Sequence, residues 1–326
     1  MRKRTRLERT FVGESVDRPP VALWRHWPGD DQRPGDLAAA TIRFQQTYDW
    51  DVVKVTPSSE YCLRGWGAET IWEGNNEGTR RYTAFPIQEP EDWLSLTPQR
   101  PDAGALGDIL EALRLIRQGL GPETPIIQTI FSPIAQARNL AGPHFLPHLR
   151  RHPDALRAGL ETITESTRAF VRALRTLEVD GIFYAVQWAD AHHLSQEEYA
   201  TFGRPYDLAI LEEAQGFWFN LLHVHGTQIY FDAFLDYPVQ AINWHDRETD
   251  PSLAKGQSLF SGAVVGGLRR IDTMLRGTPE DVWTEAQDAI RQTEGRRFIL
   301  GTGCVTPITS PTSNLHAARA AVEGGR

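Results

Sequence analysis

A closed α/β barrel, a single (β/α)8 domain over residues 1–326, is the fold class this chain predicts, on three observations. Eight short apolar runs, many β-branched and with little polar alternation, recur along the 326 residues. Stretches with apolar residues at helical spacing separate them, as in a parallel sheet covered by helices. No Gly-x-Gly-x-x-Gly turn follows the first run, which an open dinucleotide-binding sheet would carry. The length agrees, because barrels of this kind run from about 250 residues upward as one domain.

The eight runs are Val21–Trp27, Val52–Pro57, Ile126–Phe131, Gly181–Gln187, Phe219–Gly226, Ala241–Asp246, Leu259–Gly266 and Phe298–Cys304. Helical spacing marks Asp36–Tyr48, Ala105–Leu120 and Pro153–Leu177 between them. Ser195-Gln196-Glu197-Glu198 has the form of a capping box and opens a helix over Gln196–Gln215. Thr278-Pro279-Glu280-Asp281 places a cap, a first-turn proline and two acids at a helix start, and Gly295 supplies the stop. The longest spacer contains Gly65–Leu96, rich in Trp, Gly and Glu, and reads as an inserted loop or hairpin near the barrel mouth.

Composition narrows the function classes. The net charge of −8 and the lack of a basic stripe exclude a nucleic-acid binder. The two cysteines, Cys62 and Cys304, are too few for a disulfide scaffold and fit a reducing cytoplasm. The basic start Met1-Arg2-Lys3-Arg4 is followed by Glu8 and Arg9 rather than an apolar core, so it is not read as a signal peptide. No run approaches the ~20 apolar residues of a membrane span.

In a (β/α)8 barrel the loops after the strands build the site, so the strand ends are the place to look. They carry Arg25 and His26, Lys54 and Thr56, Gln128, Gln187 and Asp190, His223 and His225, His245 and Asp246, Gly266 and Gly267, and Cys304. His223 and His225 alternate on one strand and so face the same side. With Cys304 they meet the count of a catalytic zinc, which keeps three protein ligands and an open fourth position. The competing reading makes each of the three a hydrogen-bonded or buried core residue. His245-Asp246-Arg247-Glu248 reads either as a charged helix-capping loop or as a source of an acid, a base or a metal partner. Arg25 suits a substrate carboxylate or a structural ion pair equally well.

Several segments carry a resemblance. Leu7–Trp27, with Glu8-Arg9 and Asp17-Arg18-Pro19-Pro20-Val21, Gly67-Ala68-Glu69, Phe202-Gly203-Arg204-Pro205-Tyr206, His223-Val224-His225-Gly226 and Gly301-Thr302-Gly303-Cys304 together resemble the uroporphyrinogen decarboxylase superfamily. That resemblance implies a (β/α)8 barrel with a deep cleft, often a homodimer. Its decarboxylase branch acts on porphyrinogen acetates without a cofactor. There Arg25 matches the first of two arginines, but the second falls near Gly29. Thr56-Pro57-Ser58-Ser59 has no aspartate, Leu149–Pro153 has no tyrosine, and Thr302 stands about where a histidine is expected. The other branch comprises zinc-dependent methyltransferases of corrinoid systems, with ligands His-x-Cys after strand five and Cys ending strand eight. His223 and Cys304 match, and His225 stands in place of the first Cys. Imidazole for thiolate removes one negative charge and leaves a more Lewis-acidic zinc.

The expectation is a cytoplasmic zinc enzyme, methyltransferase-like, that activates a thiol. His223, His225 and Cys304 would hold zinc, and Asp190, His245 or Asp246 would act as base or fourth ligand. Arg25, Lys54, Gln128 and Gln187 would bind a small, anionic substrate, with a corrinoid on a partner protein as a methyl donor. A decarboxylase of uroporphyrinogen or another poly-carboxylate and a non-catalytic corrinoid- or ligand-binding barrel are the alternatives.

Overall fold

The computed structural model describes residues 1–323. The strands are β1 (Val53–Val55), β2 (Glu69–Ile71), β3 (Arg81–Ala84), β4 (Ile126–Phe131), β5 (Gly181–Val186), β6 (Leu221–Val224), β7 (Ala241–Trp244), β8 (Ala263–Leu268) and β9 (Phe298–Thr302). Seven of them form one parallel sheet in the order β1-β4-β5-β6-β7-β8-β9. The eighth stave is the first apolar run, reduced to a parallel bridge between Val21 and Leu300. Ala22 N–H donates to Leu300 O (3.0 Å), Leu300 N–H to Pro20 O (2.8 Å) and Asp51 N–H to Val21 O (2.9 Å), so this segment closes the ring between β9 and β1. It forms no longer ladder because Pro19 and Pro20 lack an N–H and Val21 spends its own on the Asp51 carboxylate (2.8 Å). The chain is thus a (β/α)8 barrel.

Strand alternation sorts side chains into two layers. Trp24, Ile127, Phe183, Ala185, Leu221, Ala241, Val265 and Ile299 pack inside the ring. Leu23, Val53, Val55, Ile126, Ile130, Leu222, Val224, Ile242, Trp244 and Leu300 pack outward under the helices. The helix Lys3–Phe11 closes the lower end, with Leu7 fully buried and Phe11 at 4.8 Å from Phe219.

Two expectations about elements change, and a third is met. The run Leu259–Gly266 starts too early: Leu253–Leu259 is a helix capped by Ser252, and the strand begins at Ala263. The helix over Gln196–Gln215 is two, Gln196–Phe202 and Arg204–Ala214. They break at Gly203, which lies against the Tyr199 ring, where a Cβ would come within 2.4 Å, and Pro205 contributes no N–H. The Gly65–Leu96 spacer contains the antiparallel hairpin β2–β3. The tip of that hairpin lies over the mouth, where Ile308 N–H donates to Asn76 O (2.7 Å) and Arg270 pairs with Glu77 (2.9 Å). Both capping boxes, at Ser195 and at Thr278, form with both of their hydrogen bonds. Among the described residues no helix is long and apolar enough to cross a membrane.

Candidate active site

The inward positions of β6 are Leu221 and His223 and continue past the strand end as His225; those of β7 are Ala241 and Asn243 and continue as His245. The two strands pair Leu221 with Ala241 and His223 with Asn243. This register brings the two histidine-bearing ends together. Cys304 arrives from beyond β9. Its approach needs Gly303, because a Cβ there would stand 2.7 Å from His245 Cα and 2.9 Å from Trp244 O. The result is a group of four: ligand atoms of His223, His225, His245 and Cys304 all lie within 4.8 Å of one another.

The hydrogen bonds around the group decide which atoms are free. Asn243 Nδ2 donates to Val265 O (2.8 Å) and Thr302 O (3.1 Å). Its amide is thereby oriented, and Oδ1 accepts from His223 Nδ1–H at 2.7 Å. Burial lowers the His223 pKa and keeps the ring neutral. The lone pair therefore sits on Nε2, a buried atom with no protein partner. His245 has the same arrangement with a carboxylate, Nδ1 lying 3.1 Å from Glu248 Oε2, and its Nε2 is 3.4 Å from His225 Nδ1. His225 Nδ1 is 3.6 Å from Cys304 Sγ.

Electrostatics agree with the geometry. Burial alone would push the Cys304 thiol up, but His223, His225 and His245 together bring it well below the ordinary thiol range. Burial likewise opposes charge on His245, yet Cys304 and Glu248 raise it to about 9. Without metal the group is an imidazolium–thiolate cluster.

Two spaces meet at this cluster. An inner chamber of about 170 Å3 is lined by Trp24, Lys54, Phe131, Phe183, His223 and Cys304 among others. An outer cleft of about 570 Å3 takes in Arg138, Asp190, His193, His245 and Glu248. His225 and Gln187 face both. Asp190 is buried and holds His193 Nδ1 with both oxygens, at 2.8 and 2.9 Å, while the His193 ring stacks on Trp188 at 4.3 Å. Lys54, its amine lowered to about 7 by burial, lies 4.5 Å over the Phe183 ring.

Not every residue expected at the site reaches it. Arg25 turns outward, donating to Ile308 O (3.1 Å) over the Trp27 ring (4.5 Å); its neighbour His26 faces the chamber instead, neutral because burial lowers it to about 4. Gln128 shares the outward side of β4 with Ile126 and Ile130 and donates to Thr129 O (2.8 Å). Asp246 turns from His245 to the outer layer, where it accepts from Gly267 N–H at 3.1 Å and burial raises it to about 7. All three follow from alternation: the inner neighbour and the outer neighbour at a strand end are one residue apart. Glu248, one turn beyond His245, takes the partner role that the His245-Asp246-Arg247-Glu248 segment offered, whereas Asn243 belongs to the site and is not among the residues the sequence pointed to. The signal for Asn243 was its place two residues before His245 on an otherwise apolar strand.

Fold and site together define a (β/α)8-barrel protein with a buried imidazole–thiol cluster at the C-terminal ends of its strands. Residues 2–324 match the family model for uroporphyrinogen decarboxylase (URO-D), and the chain belongs to that family. The methylcobamide:CoM methyltransferase MtbA of Methanosarcina mazei is 26% identical over 231 residues, spanning 70% of this chain and 67% of that protein. The methylcobamide:CoM methyltransferase MtaA of Methanosarcina barkeri is 23% identical over 98% of this chain and 96% of its own length. A solved methyltransferase from Methanosarcina mazei superposes with a TM-score of 0.87 at 19% identity, covering 99% of this chain and 98% of that one, and shares the fold.

Proposed function

We propose that the protein is a zinc-dependent, methyltransferase-like enzyme that activates a thiol acceptor, with a corrinoid on a partner protein as the methyl donor. The observation that carries the reading is His223 Nε2: a buried lone pair, its tautomer set by Asn243, facing a thiolate and two further imidazoles with no protein donor to satisfy it. The donor set of imidazole nitrogen and thiolate sulfur fits zinc. Asn243 Oδ1, which accepts from His223 Nδ1–H, is the outer partner that a metal-bound histidine ordinarily has.

His223, His225 and Cys304 would hold the metal. The chemistry a zinc held by these residues would supply is Lewis acidity that favours the thiolate form of a bound thiol. With the Cys304 thiolate committed to the metal, one of the two partners that hold the proton on His245 would be lost, and His245 Nε2 would then be able to take the thiol proton while Glu248 holds Nδ1–H. Lys54 and Gln187 orient the acceptor from the chamber side. Asp190 fixes His193 in the outer cleft, the face open to a donor. The methyl donor is assigned from the relatives, whose names specify methylcobamide.

Elemental mass spectrometry of protein purified without added metal, beside a Cys304→Ser variant, tests the metal assignment. About one zinc per chain, lost in the variant, is the expected result. No metal in either protein after zinc is offered would sink it. Demethylation of free methylcobalamin in the presence of a thiol, followed by absorbance, tests the reaction.

A further inference from the structure

The inner chamber differs in chemistry from the cleft on the other side of the cluster. Trp24, Phe131 and Phe183 wall it with rings, and Ala185 adds an apolar face. The cleft carries more charge, with Arg138, Asp190, Glu248 and Arg270, whereas the chamber's charged groups outside the cluster are Lys54 and Glu77, the latter shared with the cleft and paired with Arg270. Two donors face an apolar setting without adequate acceptors. Trp24 Nε1 is buried with no partner. Lys54 Nζ has the Thr56 hydroxyl at 3.2 Å. An unpaired buried donor is costly, and a ligand that brings an acceptor recovers that cost.

Size narrows the occupant further. The chamber's volume of about 170 Å3 is close to the ~150 Å3 of an engineered apolar cavity that takes up benzene. A tripeptide thiol is larger than the chamber and would have to lie in the cleft, and a two-carbon thiol fills only a small part of it.

We propose that the acceptor is a single-ring aromatic thiol whose ring packs between Phe131 and Phe183, whose oxygen substituent meets Trp24 Nε1 and Lys54, and whose sulfur faces Cys304. The sulfur's role rests on the thiol-activating reading above, but ring binding does not. The two are therefore separable.

Calorimetric titration of metal-free protein with phenol tests the chamber alone. Saturable binding with a negative heat-capacity change is expected. Ala185→Leu, which fills the space, should abolish it. Trp24→Phe keeps a ring but removes the donor, and should weaken phenol about tenfold while leaving toluene nearly unchanged. Circular dichroism identifies folded variants, and Trp24→Phe decides the matter if Ala185→Leu fails to fold. On zinc-loaded protein, 4-mercaptophenol should bind more tightly than phenol, 2-mercaptoethanol or glutathione. Phenol binding that survives both substitutions, no phenol binding by the parent protein, or a preference for glutathione would each overturn the proposal. Phenol binding lost in Ala185→Leu, in a protein that takes up no zinc, would uphold ring recognition and remove only the metal reading.

Discussion

Asn243→Leu tests the link between hydrogen bonding and metal affinity. Asn243 is fully buried inside the ring. Its two donor contacts, to Val265 O and Thr302 O, orient the acceptor that receives His223 Nδ1–H. Leucine has a similar volume but offers no acceptor, so the His223 ring loses both its tautomer preference and its orientation. Removing such an outer partner costs ~10–100-fold in metal affinity, or roughly 1.4–2.8 kcal/mol. The substitution also leaves His223 Nδ1–H and the two carbonyls short of a partner, at roughly 1–3 kcal/mol for each that stays unsatisfied. The fold softens as well, so affinity must be measured on protein that is native by circular dichroism. Competition against a chromophoric zinc chelator gives the dissociation constant. The expected result is a rise within that range at unchanged stoichiometry. An unchanged constant in folded Asn243→Leu protein would refute the tautomer argument, and complete loss of zinc would give Asn243 a larger part than orientation.

Other outcomes follow from the same structure. His245→Ala should retain zinc and lose roughly 10²–10⁴-fold in methyl transfer; loss of the metal instead would make His245 a ligand. Asp207 is buried against the hydroxyls of Tyr184, Tyr199 and Tyr237, and burial raises its carboxyl to about 6. Its folded pKa lies above the unfolded one, so the native state binds the proton more tightly, and the stability this group contributes falls as pH rises from about 4 to about 6. Unfolding free energies from urea titrations of parent and Asp207→Asn should differ by an amount that shifts by an order of 2–3 kcal/mol across that window; a constant difference would contradict the assignment. Gly181→Ala should unfold the barrel or cost at least about 3 kcal/mol by chemical denaturation, because the added Cβ would stand 1.6 Å from Phe219 O; a near-neutral result would mean that β5 can shift outward.

Much of this architecture is written locally. Parallel strands buried on both faces appear as short apolar runs, and the capping residues at Ser195 and Thr278 mark helix starts by chemistry that spans four residues. The hairpin in the long spacer and the helix of Ser252 depend on contacts with the barrel, so composition located the first only coarsely and placed the second within a strand. At the site, His223 and His225 share a face because alternation is a property of one strand. Choosing between Arg25 and His26, or between His245 and Asp246, needs the side of the sheet that faces inward, which the flanking Trp24 and Trp244 do not reveal, being aromatic on opposite faces.

The order of elements, the barrel class and the residues able to bind a metal are set by short-range patterns in the chain, because helix and strand periodicities and ligand chemistry act over a few residues. The meeting of Cys304 with His245, the Asn243 contact that selects the His223 tautomer, and the ring-lined chamber beside them depend on strand register and on the close approach that Gly303 permits. Those contacts join residues far apart in the chain. Their distances follow from closing the ring, a long-range constraint that no local pattern encodes.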